Sequence, residues 1–232
     1  MIKKNKKLGF GTLPLTCAIA ISLLSTSLSV RADNQVSLPL VTQAQGVGQG
    51  AGNFTSVLQD LQQRFPQYSS QQVILVDATT QELLLLEAGQ VVGRWVISTA
   101  EAGLGSRKGS NQTPLGVHRL AQKIGDGAPL GTVFKARQNT GRVAKILTAP
   151  GARSGEDNVT TRVMWLDGLE PGLNKGGEVD SYQRYIYIHG TDEEGRLGAP
   201  ASHGCIRMRN QDVADLYERV REDTLVVIAQ RK

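Results

Sequence analysis

The sequence predicts a mainly β domain over residues 72–230, an antiparallel sandwich-like or barrel-like sheet with a few short helices. Three observations predict it. Short runs rich in Val, Ile, Leu and Thr recur along the chain between turn-forming residues. Glycine supplies 26 of the 232 residues, which suits frequent turns between short strands better than a helical bundle. Only one strongly amphipathic helix follows the first strands.

Taken in order, residues 1–32 hold five basic residues (Lys3, Lys4, Lys6, Lys7, Arg31) and no acidic one, with an apolar stretch over 8–30. A basic head, an apolar middle and Val30-Arg31-Ala32 at the end are expected of an export signal cleaved before Asp33. An uncleaved anchor is the alternative, weakened by Gly9, Gly11 and Pro14. Residues 33–52 are rich in Gln, Gly, Ser and Val and read as a flexible tether. Over 53–65, Phe54, Val57, Leu58, Leu61 and Phe65 fall on one helical face before Pro66 ends the run. Tether and helix together form a linker over 33–71.

The main domain opens with strands expected over 73–76, 82–86 and 91–97, an antiparallel meander with turns at 77–80 and 88–90. Further strands are expected over 116–124, 132–137, 144–148, 159–166, 184–189 and 225–229. Val213, Leu216, Tyr217 and Val220 mark a helix with Asn210 as its N-cap. Between the strands, residues 99–113 and 167–182 are long, polar and Gly-rich, and loops of that length are expected beside a functional site.

Charge and cysteine content narrow the function. The chain has 26 basic and 21 acidic residues, a formal +5, but removing the five basic residues of the export segment leaves 21 of each. A neutral mature chain gives no support to nucleic-acid binding. Cys17 lies in the apolar segment, so cleavage would leave Cys205 alone. An unpaired cysteine in an oxidising compartment is a liability unless its reactivity is used.

Cys205 sits in Ser202-His203-Gly204-Cys205-Ile206-Arg207-Met208, shortly after Ile188-His189-Gly190-Thr191. Two of the three histidines thus flank one thiol. A nucleophilic cysteine needs an imidazole to take its proton and N–H groups aimed at the oxyanion it creates. Tyr185-Ile186-Tyr187-Ile188 alternates like a strand that delivers His189 to its end, and Gly190 lets the backbone pass closely. Gly204 and Cys205 are the candidate oxyanion amides, and Ser202 a brace for their turn. These motifs, with Thr113-Pro114-Leu115-Gly116 upstream, resemble the L,D-transpeptidases, or YkuD domains, which remodel bacterial peptidoglycan.

That resemblance implies Cys205 as nucleophile, His189 as general base and acid with the Gly190 carbonyl holding its other nitrogen, and His203 as a further active-site histidine. It implies a thioester acyl-enzyme formed at the bond between a diamino acid and the terminal D-Ala of a tetrapeptide stem. The acyl group would then pass to a second stem, a lipoprotein amine or water. Arg207 is a candidate for gripping a stem carboxylate, and an ordinary ion pair is the alternative. His118 is expected to be structural. No cofactor and no metal are implied, and the expected place of action is the periplasm or cell-wall compartment. Other readings are a thiol peptidase, a zinc site of His189, His203 and Cys205, a thiol L,D-carboxypeptidase, and a wall-binding module without activity. The Ser-His-Gly-Cys order fits sortase-like or papain-like peptidases poorly, and only the distant His118 could supply a fourth zinc ligand.

Overall fold

The structure, a computed structural model, describes residues 54–230. The export segment and the tether expected upstream lie outside the described residues. The elements run α1 (Thr55–Arg64), β1 (Gln72–Asp77), β2 (Glu82–Glu87), β3 (Gln90–Ser98), β4 (Gly116–Ile124), β5 (Thr132–Lys135), β6 (Gln138–Val143), β7 (Val159–Gly168), β8 (Tyr187–Thr191), β9 (Ile206–Met208), α2 (Asn210–Arg219) and β10 (Leu225–Ala229). The mainly β expectation holds.

The ten strands form one sheet in the order β4-β10-β1-β2-β3-β9-β8-β7-β5-β6, and β4 also pairs with β7. That second pairing closes eight strands into a ring, with the β5–β6 hairpin branching off it. β7 serves two neighbours along one edge. Its first residues pair with β5 and its later ones with β4, and the register shifts between Thr160 and Val163. β1–β2–β3 is the expected antiparallel meander. Two pairs are parallel, β1 with β10 and β8 with β9, so the sheet is mixed.

Strand β1 shows why the sheet is covered on both faces. Its run of apolar residues is buried throughout: Ile74 and Val76 join the core with α2, and Val73 and Leu75 join a second core with α1. Continuous apolar runs of this kind mark strands without a solvent face. Leu61 of α1 is 2% exposed within the second core. Leu61→Ala is expected to cost about 2–5 kcal/mol, read as a lower urea midpoint at unchanged slope.

Several expected elements shift. Residues 144–148 form no strand, and the hairpin partner of β5 is instead Gln138–Val143, exposed along its whole length. β5 ends at Lys135 because Ala136 and Arg137 turn with positive φ. Tyr185, at φ +58, delays β8 to Tyr187. Asn210 is the first residue of α2 rather than its cap, and its N–H is taken instead by Glu194 Oε1 at 2.8 Å.

Candidate active site

The parallel ladder of β8 and β9 sets Ile188 against Ile206, His189 against Arg207 and Gly190 against Met208. Ile188 and Ile206 are fully buried in the core. Because strand side chains alternate, Tyr187, His189 and Arg207 therefore share the opposite face, and Cys205, in the bend just before β9, packs against the cluster that holds Tyr187. Cys205 is two residues back from Arg207, so its Cα lies roughly 8 Å from that of His189, given about 3.3 Å per residue and 4.8 Å between strands.

Gly190 is required on β8 by packing. A Cβ there would come within 2.7 Å of Asn210 Oδ1 and 2.8 Å of the Thr160 carbonyl. Asn210 is held from several sides, accepting from the Thr160 hydroxyl at 2.6 Å and donating to the Thr191 carbonyl at 2.8 Å.

His189 is 2% exposed, and its Nδ1 lies 2.6 Å from the Gly190 carbonyl. A carbonyl only accepts, so Nδ1 carries the proton and Nε2 keeps its lone pair. Burial pulls the imidazole down to about 4, against the pull of the Gly190 bond and Asp157, so the ring is neutral at pH 7. Burial likewise pushes the Cys205 thiol up to about 11, outweighing the Tyr187 amide. The Tyr187 N–H donates to Sγ at 3.4 Å, and the thiol points to the Tyr185 carbonyl at 3.5 Å. Among the described residues the resting pair is thus a neutral thiol and a neutral imidazole with no hydrogen bond between them.

The turn before Cys205 is braced from within and without. The Ser202 hydroxyl donates to the Cys205 carbonyl at 2.6 Å and accepts the Gly204 N–H at 3.2 Å. The Gly204 amide, one of the two candidate oxyanion donors, is therefore occupied at rest. Gly204 has φ +128, a conformation suited to glycine. Thr113 Oγ1 donates to the Gly204 carbonyl at 3.0 Å, and the Glu101 N–H to the Ser202 carbonyl at 2.9 Å. The long loop after β3 thus lies against the motif. The loop before β8 reaches the same region, where Tyr182 stacks on Trp165 at 3.9 Å and Cys205 packs against their cluster.

Arg207 is 1% exposed and engaged on both forks, donating to Glu193 at 3.1 Å and to Asp157. Both terminal nitrogens of its guanidinium are spent inside the protein while Nε is buried without a partner among the described residues, which favours the ion-pair alternative over the substrate grip. His203 is exposed and points Nδ1 at the other oxygen of Asp157. Burial alone would raise the Asp157 carboxyl, but Arg207, the His203 bond and His189 outweigh it and hold the group below its usual range. Glu193 is similarly pulled to about 2: its burial is outweighed by the Arg196 bond, the Ser154 N–H and Arg207. Asp157 and Glu193 are the site-linked residues that sequence reading missed. Glu193 follows His189 by four positions, a faint signal, whereas Asp157 lies 50 residues from Arg207 with no local cue.

His118 is fully buried away from this chain of charges, between the Gly116 carbonyl and the Ser181 hydroxyl. Among the described residues no group of three or more His, Cys, Asp or Glu side chains is arranged to hold a metal ion. Nor is any described helix long and apolar enough to cross a membrane.

The model of the L,D-transpeptidase catalytic domain family, YkuD, matches residues 71–228. Probable L,D-transpeptidase YbiS of Escherichia coli K12 is 44% identical over 43 residues, covering 18% of this chain and 14% of that protein. Probable L,D-transpeptidase ErfK/SrfK of Salmonella typhimurium is 25% identical over 220 residues, covering 90% of this chain and 65% of that protein. The chain spans less than two thirds of the length of these curated relatives. A solved L,D-transpeptidase from Xylanimonas cellulosilytica is 21% identical with a TM-score of 0.40, covering 76% of this chain and 70% of that one.

Proposed function

The chain belongs to the L,D-transpeptidase catalytic domain family, and from that premise we propose that it is a cysteine-dependent L,D-transpeptidase acting on peptidoglycan stem peptides. The observation that carries the reading is the His189–Gly190 hydrogen bond, which leaves the Nε2 lone pair free on the strand whose Tyr187 N–H holds the thiol. In the proposed first step, Nε2 takes the Cys205 proton as Sγ attacks the carbonyl between the diamino acid and the terminal D-Ala. The tetrahedral oxyanion collapses, the imidazolium protonates the departing D-Ala amine, and a thioester remains on Cys205. An amine then attacks the thioester, Nε2 accepts its proton, and the thiol is restored. A second stem as acceptor gives a cross-link, a protein lysine an anchor, and water a trimmed stem.

A carbonyl fixes the imidazole tautomer much as a triad aspartate does, yet it stabilises the imidazolium less. The Asp157 carboxylate supports the missing share, since it raises the His189 affinity for a proton by more than the neighbouring Arg207 charge lowers it. Arg207 then acts as the positioning residue that keeps Asp157 charged and in place. His203 shares Asp157 and stays exposed, which suits contact with substrate. The Gly204 N–H can join the oxyanion hole once it releases the Ser202 hydroxyl. Peptidoglycan lies outside the cytoplasm, so this function requires export, the role proposed for residues 1–32.

Intact-mass analysis tests the reading. The wild-type protein incubated with a disaccharide tetrapeptide is expected to gain the stem mass less D-Ala, with free D-Ala in solution and loss of the adduct on hydroxylamine treatment. A protein that stays unlabelled and releases no D-Ala would sink the transpeptidase reading and favour a wall-binding module.

A further inference from the structure

The β5–β6 hairpin carries an arginine without an acidic partner beside the thiol. Arg137 stands at the hairpin turn, where Ala136 and Arg137 have φ +48 and +66. Two-residue hairpin turns with positive φ at both central positions ordinarily use Asn-Gly, so an Ala-Arg pair holds the turn in a conformation costly for these side chains. The guanidinium lies 4.5 Å over the Trp165 ring and 5.3 Å over that of Tyr185, and Nη1 is 3.4 Å from the Tyr187 hydroxyl. Among the described residues it forms no ion pair, although most other arginines near the site are spent on carboxylates or carbonyls. It also rims a cleft of about 440 Å³ that includes Phe134 and Asn139. Asp126 lines the same cleft and stays beyond ion-pair distance of Arg137.

Tyr187 measures the separation from the thiol. Its backbone N–H touches Sγ and its hydroxyl touches Arg137, so the guanidinium stands roughly one tyrosine side chain from the nucleophile. A leaving D-Ala places its carboxylate only one α-carbon beyond the scissile nitrogen, which is too close to the reacting carbon. A carboxylate at the far end of the diamino acid's side chain has the matching reach, with its methylenes lying along the exposed Tyr185 ring.

Resting on the acyl-transfer reading above, we propose that Arg137 is a specificity-determining residue that binds a free carboxylate on the side chain of the donor stem's diamino acid. Stems whose diamino acid ends in a carboxylate, as diaminopimelate does, are the preferred donors. Stems with lysine, or with that carboxylate amidated, are disfavoured. A planar guanidinium held by aromatic faces is already oriented for a two-pronged carboxylate bond.

The test compares acylation rates of the full chain with three tetrapeptide stems bearing diaminopimelate, its side-chain amide, or lysine. Wild type is expected to favour the free carboxylate over the amide by roughly ten- to a hundred-fold. In Arg137→Gln that ratio should collapse toward unity, and Arg137→Lys should restore part of it. An unchanged ratio in Arg137→Gln would overturn the proposal. So would an equal fall for all three stems, which would assign Arg137 to the terminal carboxylate or to hairpin structure. If wild type is acylated by none of the stems while iodoacetamide still alkylates Cys205, the acyl-transfer reading itself fails and this proposal with it.

Discussion

Cys205→Ala is expected to leave no stem adduct and no D-Ala release above the uncatalysed background, while His189→Gln slows acylation by roughly 10²–10⁴-fold. The two variants differ because they remove different things. Alanine removes the atom that forms the thioester, whereas glutamine leaves the thiol and removes only the proton acceptor at Nε2. The wild-type pH profile follows from the same neutral pair. Below about 4 the imidazole is protonated and takes no proton from the thiol, and above about 11 the thiol is already ionised. Between those limits kcat/KM for acylation is expected to stay level. A rate that instead falls on acidification near the ordinary imidazole value of about 6.5 would show that the reacting state is a preformed thiolate and imidazolium. In His189→Gln the acid limb should vanish, leaving a rate that rises with pH as free thiolate accumulates.

The parts of this site that are legible in the sequence are those in which neighbours in the chain are neighbours in space. Ser202, Gly204 and Cys205 brace one turn, and His189 bonds the carbonyl of the very next residue, so a local motif contains them. The apolar strands are legible for a similar reason: burial on both faces writes an unbroken Val, Ile and Leu run into β1 and β10. β6 was hidden because Gln138–Val143 is exposed throughout and has no hydrophobic period to read, while the apolar residues just after it suggested a strand that does not form. β9 is too short to show alternation, yet its register sets Arg207 opposite His189 and leaves Cys205 just before the strand. Asp157 was hidden most completely. It has positive φ in a polar loop, and its importance comes only from Arg207 and His203, which the fold brings to it from 50 and 46 residues away.

Arg207→Met is expected to lower stability at pH 7 by about 3–5 kcal/mol, because it leaves two carboxylates without the guanidinium that joins them. Glu193 would keep Arg196, so the larger uncompensated charge is that of Asp157. The pH dependence separates this cause from simple loss of packing. Both carboxyls are held below their usual range in the folded protein, Glu193 to about 2. Groups shifted in that direction contribute stability that is fully present above their unfolded values near 4 and is lost as pH falls through the folded ones. The penalty for removing Arg207 should therefore be greatest near neutrality and shrink below about pH 4, where neutral carboxyls no longer need a cation. His118, depressed to about 4 by burial, makes wild type and variant alike lose stability as pH falls below the ordinary imidazole value. Urea unfolding of both proteins at matched pH cancels that shared loss. A penalty that is constant with pH would mean that Arg207 serves by filling space. One that fades in acid, together with slower acylation by the surviving folded variant at pH 7, would tie the buried ion network both to the fold and to the affinity of His189 for its proton.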